Sequence, residues 1–199
     1  MFSRHLRGAI EALLFASGQP LAADKIAGLL NIQVEQVYTL LQEMTNTMSD
    51  EERGLTIVEV AGGYQLCTKP ELFPIIGKLA EVQDSKLSAA ALETLAIVAF
   101  KQPVTRQEIE GIRGVKSDRV VTTLLDRLLI KEVGRKDAIG RPILYGTTNE
   151  FLQCFGLKNL EQLPDITNIL TSDAIEGEDD APTDEQLILD IQEQLPTGK

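Results

Sequence analysis

A chain of 199 residues with a formal net charge of -11 and 43% apolar residues can fold as one large domain or two small ones, and no apolar run approaches the ~20 residues that cross a bilayer. A single histidine, His5, and two distant cysteines, Cys67 and Cys154, argue against a disulfide framework, a thiolate metal site or a histidine-based catalytic set. With no tryptophan, the core must rest on Leu, Ile, Val and Ala, and both cysteines are expected to be small buried residues within it.

The opening, MFSRHLRGAIEALLF, has early arginines and an apolar stretch, but Glu11 interrupts it and Gly18-Gln19-Pro20 is a poor cleavage site. It reads as the first helix of a cytoplasmic protein. From Gln19, QPLAADKIAGLLNIQVEQVYTLL reappears as QPVTRQEIEGIRGVKSDRVVTTL from Gln102 at a constant offset of 83 residues. Ile26 falls on Ile109, Gly28 on Gly111, Ile32 on Val115, Val37 on Val120 and Leu41 on Leu124. A repeat of this length is a duplicated domain.

In the first copy, LTIVEVAGGYQLCT predicts two strands about a Gly62-Gly63 turn, and Thr68 with Glu71 forms a T-x-x-E box. The polar LAEVQDSKLS links the copies. In the second, Ser88 caps a helix that stops near Gln102-Pro103, and Thr105 with Glu108 boxes a short helix, RQEIEGIR. Gly114 makes a turn, and Ser117 caps DRVVTTLLDRLL, whose Val121, Leu124, Leu125 and Leu128 form one stripe, widened by Val120 and Leu129. The runs IKEVG and PILYGT then flank a Gly140-Arg141-Pro142 turn, and Thr147 with Glu150 boxes FLQCFGL.

This order predicts an α+β, predominantly helical fold: two tandem winged helices, residues 1–83 and 84–164, followed by an acidic, largely disordered tail, 165–199. The tail has ten acidic residues against one basic, while the rest of the chain is near neutral, with 18 basic against 20 acidic. Its last amphipathic piece places Ile188, Ile191 and Leu195 on one face.

A DNA reader draws most of its affinity from cations on phosphates. The outward residues of the first copy's third helix are Gln33, Glu35, Gln36, Thr39, Gln42 and Glu43, which rejects it as a DNA helix. The second copy offers Arg119 and Arg127 on the helix and Arg135, Lys136 and Arg141 in the wing, beside Glu132 and Asp137, so weak phosphate contact stays open. The other use of such a fold is to hold a partner segment between third helix and wing. No residue pattern points to catalysis: GIRGVK lacks a strand–loop–helix context, and the Glu51-Glu52 and Asp179-Asp180 pairs read as solubilising. No cofactor or metal site is expected, and the chain does not read as an enzyme.

The stretches LSAAALETLAIVAFKQPVTRQEIEGIRGVKSD, LLIKEVGRKDAIGRPILYGTT and FLQCFGLKNLEQLPD, with the opening RGAIEALLFASGQPL, resemble the segregation and condensation protein B family from about Gly8 to Asp165. The resemblance implies a non-enzymatic accessory subunit of the bacterial condensin-like SMC–kleisin complex, acting in chromosome condensation and partition in the cytoplasm, at the nucleoid. Such proteins form homodimers, largely through the N-terminal winged helix. They bind the kleisin, segregation and condensation protein A, and reach the SMC ATPase through it. DNA contact is expected to be weak or indirect, and no membrane is involved. By position, Val120, Thr123, Arg127 and Arg141 are expected to edge the partner groove of the second copy. Tyr38, Leu40 and Leu41 are candidates for the core or the dimer contact of the first. A tandem winged-helix transcription regulator is the alternative from another class.

Overall fold

The computed structural model describes residues 2–50, 52–79 and 86–164. Its chain divides into two compact units, each mixing helix and strand. The first holds the described residues up to 79 together with Gly156–Asn159; the second holds residues 86–155 and 160–164. The acidic tail and its terminal amphipathic piece lie outside the described residues.

The first unit runs α1 (Phe2–Ser17), α2 (Ala23–Leu30), α3 (Val34–Met48), β1 (Leu55–Val60), β2 (Gly63–Thr68) and α4 (Phe73–Leu79). Helical spacing makes its core. Ile10 and Leu14 of α1 meet Ile26 of α2 and the Val37, Leu40, Leu41, Met44 and Met48 stripe of α3. Asn31 ends α2 in the left-handed conformation, φ 51°, which lets Ile32 N–H close back on the Ala27 carbonyl. β1 and β2 pair antiparallel from Leu55↔Thr68 to Val60↔Gly63. The hairpin turn is therefore Ala61-Gly62, with φ 49° and 73°, one residue before the expected Gly62-Gly63. Gly63 is required for a different reason. A Cβ there would lie 2.9 Å from the Leu21 backbone, which bonds Tyr64 in both directions at 2.9 Å. The Thr68–Glu71 box does not form. Thr68 is taken by strand pairing, and the 3-10 turn Pro70–Leu72 starts from Lys69 without a side-chain cap.

The second unit runs α5 (Ala89–Lys101), β3 (Val104–Thr105), α6 (Arg106–Arg113), α7 (Asp118–Asp126), β4 (Ile130–Arg135), β5 (Ile143–Thr147) and α8 (Asn149–Phe155). The sheet order is β3-β5-β4, antiparallel throughout. Ser88 caps α5 by accepting from Ala91 N–H. The Thr105–Glu108 box closes in both directions, and Gly114 ends α6 at φ 68°.

The third helix is shorter than its apolar stripe suggests. It stops at Asp126, and Leu128 takes φ 59° so that Leu129 N–H reaches the Leu124 carbonyl. That reversal leaves Leu128 59% exposed and turns Leu129 and Ile130 into the core. The stripe is thus Val121 and Leu124, with Leu125 half-buried. Ser117 precedes α7 without capping it: fully buried, its Oγ donates to the Val115 carbonyl. Thr147 is likewise not a cap. Its N–H and hydroxyl both donate to Gln102 Oε1, and Thr148 Oγ1 accepts from Phe151 N–H instead. The cysteines depart from expectation as well, since Cys67 is half-buried and Cys154 exposed.

Candidate partner-binding surfaces

The α3 face of the first unit turns out as the spacing dictates: Gln33, Glu35, Gln36, Thr39, Gln42 and Glu43 are all exposed. Leu40 and Leu41 lie in that unit's own core at 5% and 1% exposure, Leu41 at the floor of the hollow beside Tyr38. Tyr38 is different. It is 51% exposed and stands edge-on to Tyr64, ring centroids 6.3 Å apart. The two rings, with Ile57 and Val58, line an open hollow of about 560 Å³ between α3 and the hairpin. Lys158 and Glu59 pair at its rim, 2.7 Å apart. Partial burial, with the Glu59 charge adding, pushes the Tyr64 hydroxyl above its ordinary pKa. Other apolar side chains stand in solvent on this unit, Phe15 and Leu29 among them, as do Phe73, Ile75 and Leu79 of α4.

In the second unit, α7 is set by an ionic knot beneath its start. Arg113, almost fully buried, pairs with Glu93 of α5 at 2.8 Å and donates to Ser117 Oγ at 2.9 Å. Glu110 accepts from Ser117 N–H at 3.0 Å. These contacts fix where α7 begins, which is why Ser117 serves the knot instead of the cap. Val120 and Thr123 are half-buried on α7, and Thr123 Oγ1 donates to the Arg119 carbonyl. Arg127 is exposed at the helix end.

Arg141 sits elsewhere, in the turn between β4 and β5. Together with Arg106, Arg135 and Tyr145 it lines an open hollow of about 250 Å³ that Val120, Thr123 and Arg127 do not line. The four expected partner residues therefore do not surround one hollow. The β4–β5 turn is braced onto α6, since Lys136 Nζ pairs with Glu108, and Lys136 N–H donates to the Pro142 carbonyl within the turn. Hydrogen bonds from Lys136 and then from Thr105 hold the Glu108 carboxyl down at a pKa of about 2.

Three features escaped the sequence reading: the Tyr38–Tyr64 pair, the Arg113 knot and the part of Arg106 in the wing hollow. Tyr64 pairs with Leu21 and Tyr145 with Val104, the residue after Gln-Pro in each copy. Among the described residues no cluster of three potential metal ligands occurs, and no helix is long and apolar enough to cross a membrane.

Two mixed helix–strand units with buried anchors repeated in each, and open hollows on both among the described residues, make up the described chain. The family model described as segregation and condensation complex subunit ScpB matches residues 8–166, and the chain belongs to that family. It is 52% identical over 171 residues to segregation and condensation protein B of Moorella thermoacetica, covering 86% of this chain and 88% of that one. To the protein of the same name from Alkaliphilus metalliredigens it is 40% identical over 200 residues, covering all of both. A solved chain described as a dimer of the ScpB N-terminal domain complexed with ScpA peptide is 33% identical, with a TM-score of 0.38, and covers 39% of this chain and 96% of that one. The transcription-regulator alternative finds no support among these relatives.

Proposed function

We propose that this chain is a non-enzymatic subunit of a bacterial condensin-like SMC–kleisin complex, acting in chromosome condensation and segregation in the cytoplasm, at the nucleoid. The observation that carries the reading is the family match across residues 8–166, nearly all of the described chain. In this reading both units are winged helices: three helices and a β-hairpin, with α3 and α7 as third helices. Residues 1–83 form the dimerising domain and 84–164 the kleisin-binding domain, with the acidic tail beyond. The α3 face exposes carboxylates and amides but no cation, so polypeptide suits it better than a phosphate backbone.

The kleisin is assigned to α7 and its wing, with Val120, Thr123, Arg127 and Arg141 at the contact, and Tyr38 to the surface that meets a second copy. The SMC ATPase is reached through the kleisin; DNA contact is weak or indirect. The test is light scattering of the purified chain with and without a kleisin fragment. A dimer that gains mass on mixing is expected, and a Val120→Glu/Thr123→Glu variant with native circular dichroism should fail to gain it. Tight, sequence-selective binding of an operator duplex at 0.15 M salt by the isolated chain would sink the reading.

A further inference from the structure

We propose that the guanidinium groups of Arg135 and Arg141 form a carboxylate-holding site, and that its occupant is the chain's own acidic segment, residues 176–185. The hollow is walled by the Gly140-Arg141-Pro142 turn and the start of α6, with Tyr145 lining it. Gly140 and Arg141 are both left-handed, φ 82° and 43°. Glycine or asparagine is at ease in that conformation; an arginine there is backbone strain accepted for a side chain. Arg135 donates to the Arg141 carbonyl at 3.2 Å, which holds the two residues together without neutralising either. Of the other cations at the wing, Arg106 is paired with Asp118 and Glu110, and Lys136 with Glu108. Among the described residues no carboxylate lies within ion-pair distance of Arg135 or Arg141. Two unneutralised guanidiniums thus line one concavity in a chain of net charge -11.

A guanidinium fork takes a carboxylate by two parallel hydrogen bonds. The densest source of carboxylates in this chain is EGEDDAPTDE, residues 176–185, with six acids in ten and no bulky apolar side chain to demand a greasy groove. Eleven residues separate it from Pro164, the last described position, a reach of roughly 35–40 Å when extended. A domain of this size has a radius of gyration of about 12 Å, so the segment can reach its own wing. Because the proposed function also uses Arg141, the segment would compete there with the kleisin; that consequence, though not the site itself, rests on the kleisin reading.

The experiment compares the full-length chain with a full-length variant carrying E176Q, E178Q, D179N, D180N, D184N and E185Q, reading the backbone amides of Gly140 and Arg141 and the Nε–H signals of Arg135 and Arg141 by NMR. At low salt these signals should differ between the two chains. Sodium chloride at ~0.5 M should move the wild-type signals onto those of the variant, as screening predicts. The neutralised chain should bind a kleisin fragment roughly 2–10-fold more tightly. Coincident low-salt spectra would overturn the proposal. If Arg141→Ala nonetheless lost kleisin binding, the hollow would belong to the partner alone and the proposed function would stand. Salt-sensitive wing signals without any kleisin binding would instead uphold the site and overturn the function. A DNA duplex that shifted the Arg135 and Arg141 signals equally in both chains at 0.15 M salt would make the site a phosphate site and end the assignment of the tail.

Discussion

The two units share their buried anchors yet distribute their residues differently. Ile26 and Ile109 are both fully buried, and Leu41 and Leu124 nearly so, each pair 83 positions apart. The third helix, however, has 15 residues in the first unit and 9 in the second, while the hairpin turn has two residues in the first and seven in the second. What one copy spends on helix the other spends on wing, so Tyr64 and Tyr145 return to nearly the same offset. The comparison teaches that core positions are held by packing, while helix ends and wing length are free to diverge. The first unit therefore presents a long acidic–neutral helix, and the second a short helix and a cationic β4–β5 turn.

The sharpest way to break this comparison is at Val37 and Val120, which the 83-residue sequence offset pairs although α7 starts one residue later in its copy than α3 does, so that Val121 takes the place of Val37. Val37 is fully buried, so Val37→Asp should cost about 3 kcal/mol or more and abolish the cooperative urea transition of the first unit. Val120 is half-buried, and Val120→Asp should cost about 1 kcal/mol; equal costs at the two sites would show that the units do not differ as described. Next comes Arg113→Met. It strands Glu93 and removes the donor to the buried Ser117 hydroxyl, and chemical denaturation should show a loss of about 3 kcal/mol, with no counterpart among the described residues of the first unit.

Glu108→Gln is expected to be milder. It weakens the cap and the Lys136 brace by about 1 kcal/mol. Because the folded-state pKa lies near 2, below the ordinary 4.5, the carboxylate's contribution is complete above pH 4.5 and is lost as the pH falls toward 2. Solvent exposure keeps that pH-dependent part under about 1 kcal/mol. An acid melting series should therefore converge for wild type and Glu108→Gln near pH 2. The smallest effect belongs to Gly28→Ala and Gly111→Ala. Both glycines sit inside helices with open space at Cβ, and each substitution should raise stability by up to ~1 kcal/mol in a thermal melt.

The three T-x-x-E stretches that the sequence offers as capping boxes show where sequence reasoning succeeds and where it stops. At Thr105–Glu108 it closes as written, because every partner lies within three residues. At Thr68 the strand register claims the threonine first. At Thr147 a glutamine 45 residues upstream claims it, and the cap passes to the next threonine. The candidate surfaces follow the same rule. The polar α3 face was legible from spacing alone. The separation of Arg141 from Val120, Thr123 and Arg127 was not, since it depends on where α7 stops and how far the wing extends.

By itself, then, the sequence determined the duplication, the order of helices and strands apart from β3, many of the buried anchors of each copy and the uneven placement of charge, because periodicity and composition act over a few residues at a time. Only the tertiary structure decided which cap closes, that α7 ends at Asp126, that Leu40 and Leu41 are core while Tyr38 is surface, and that two arginines meet at the wing tip. A local hydrogen bond is worth about 1 kcal/mol, and it gives way wherever strand pairing or burial of a Leu129 or an Ile130 offers more.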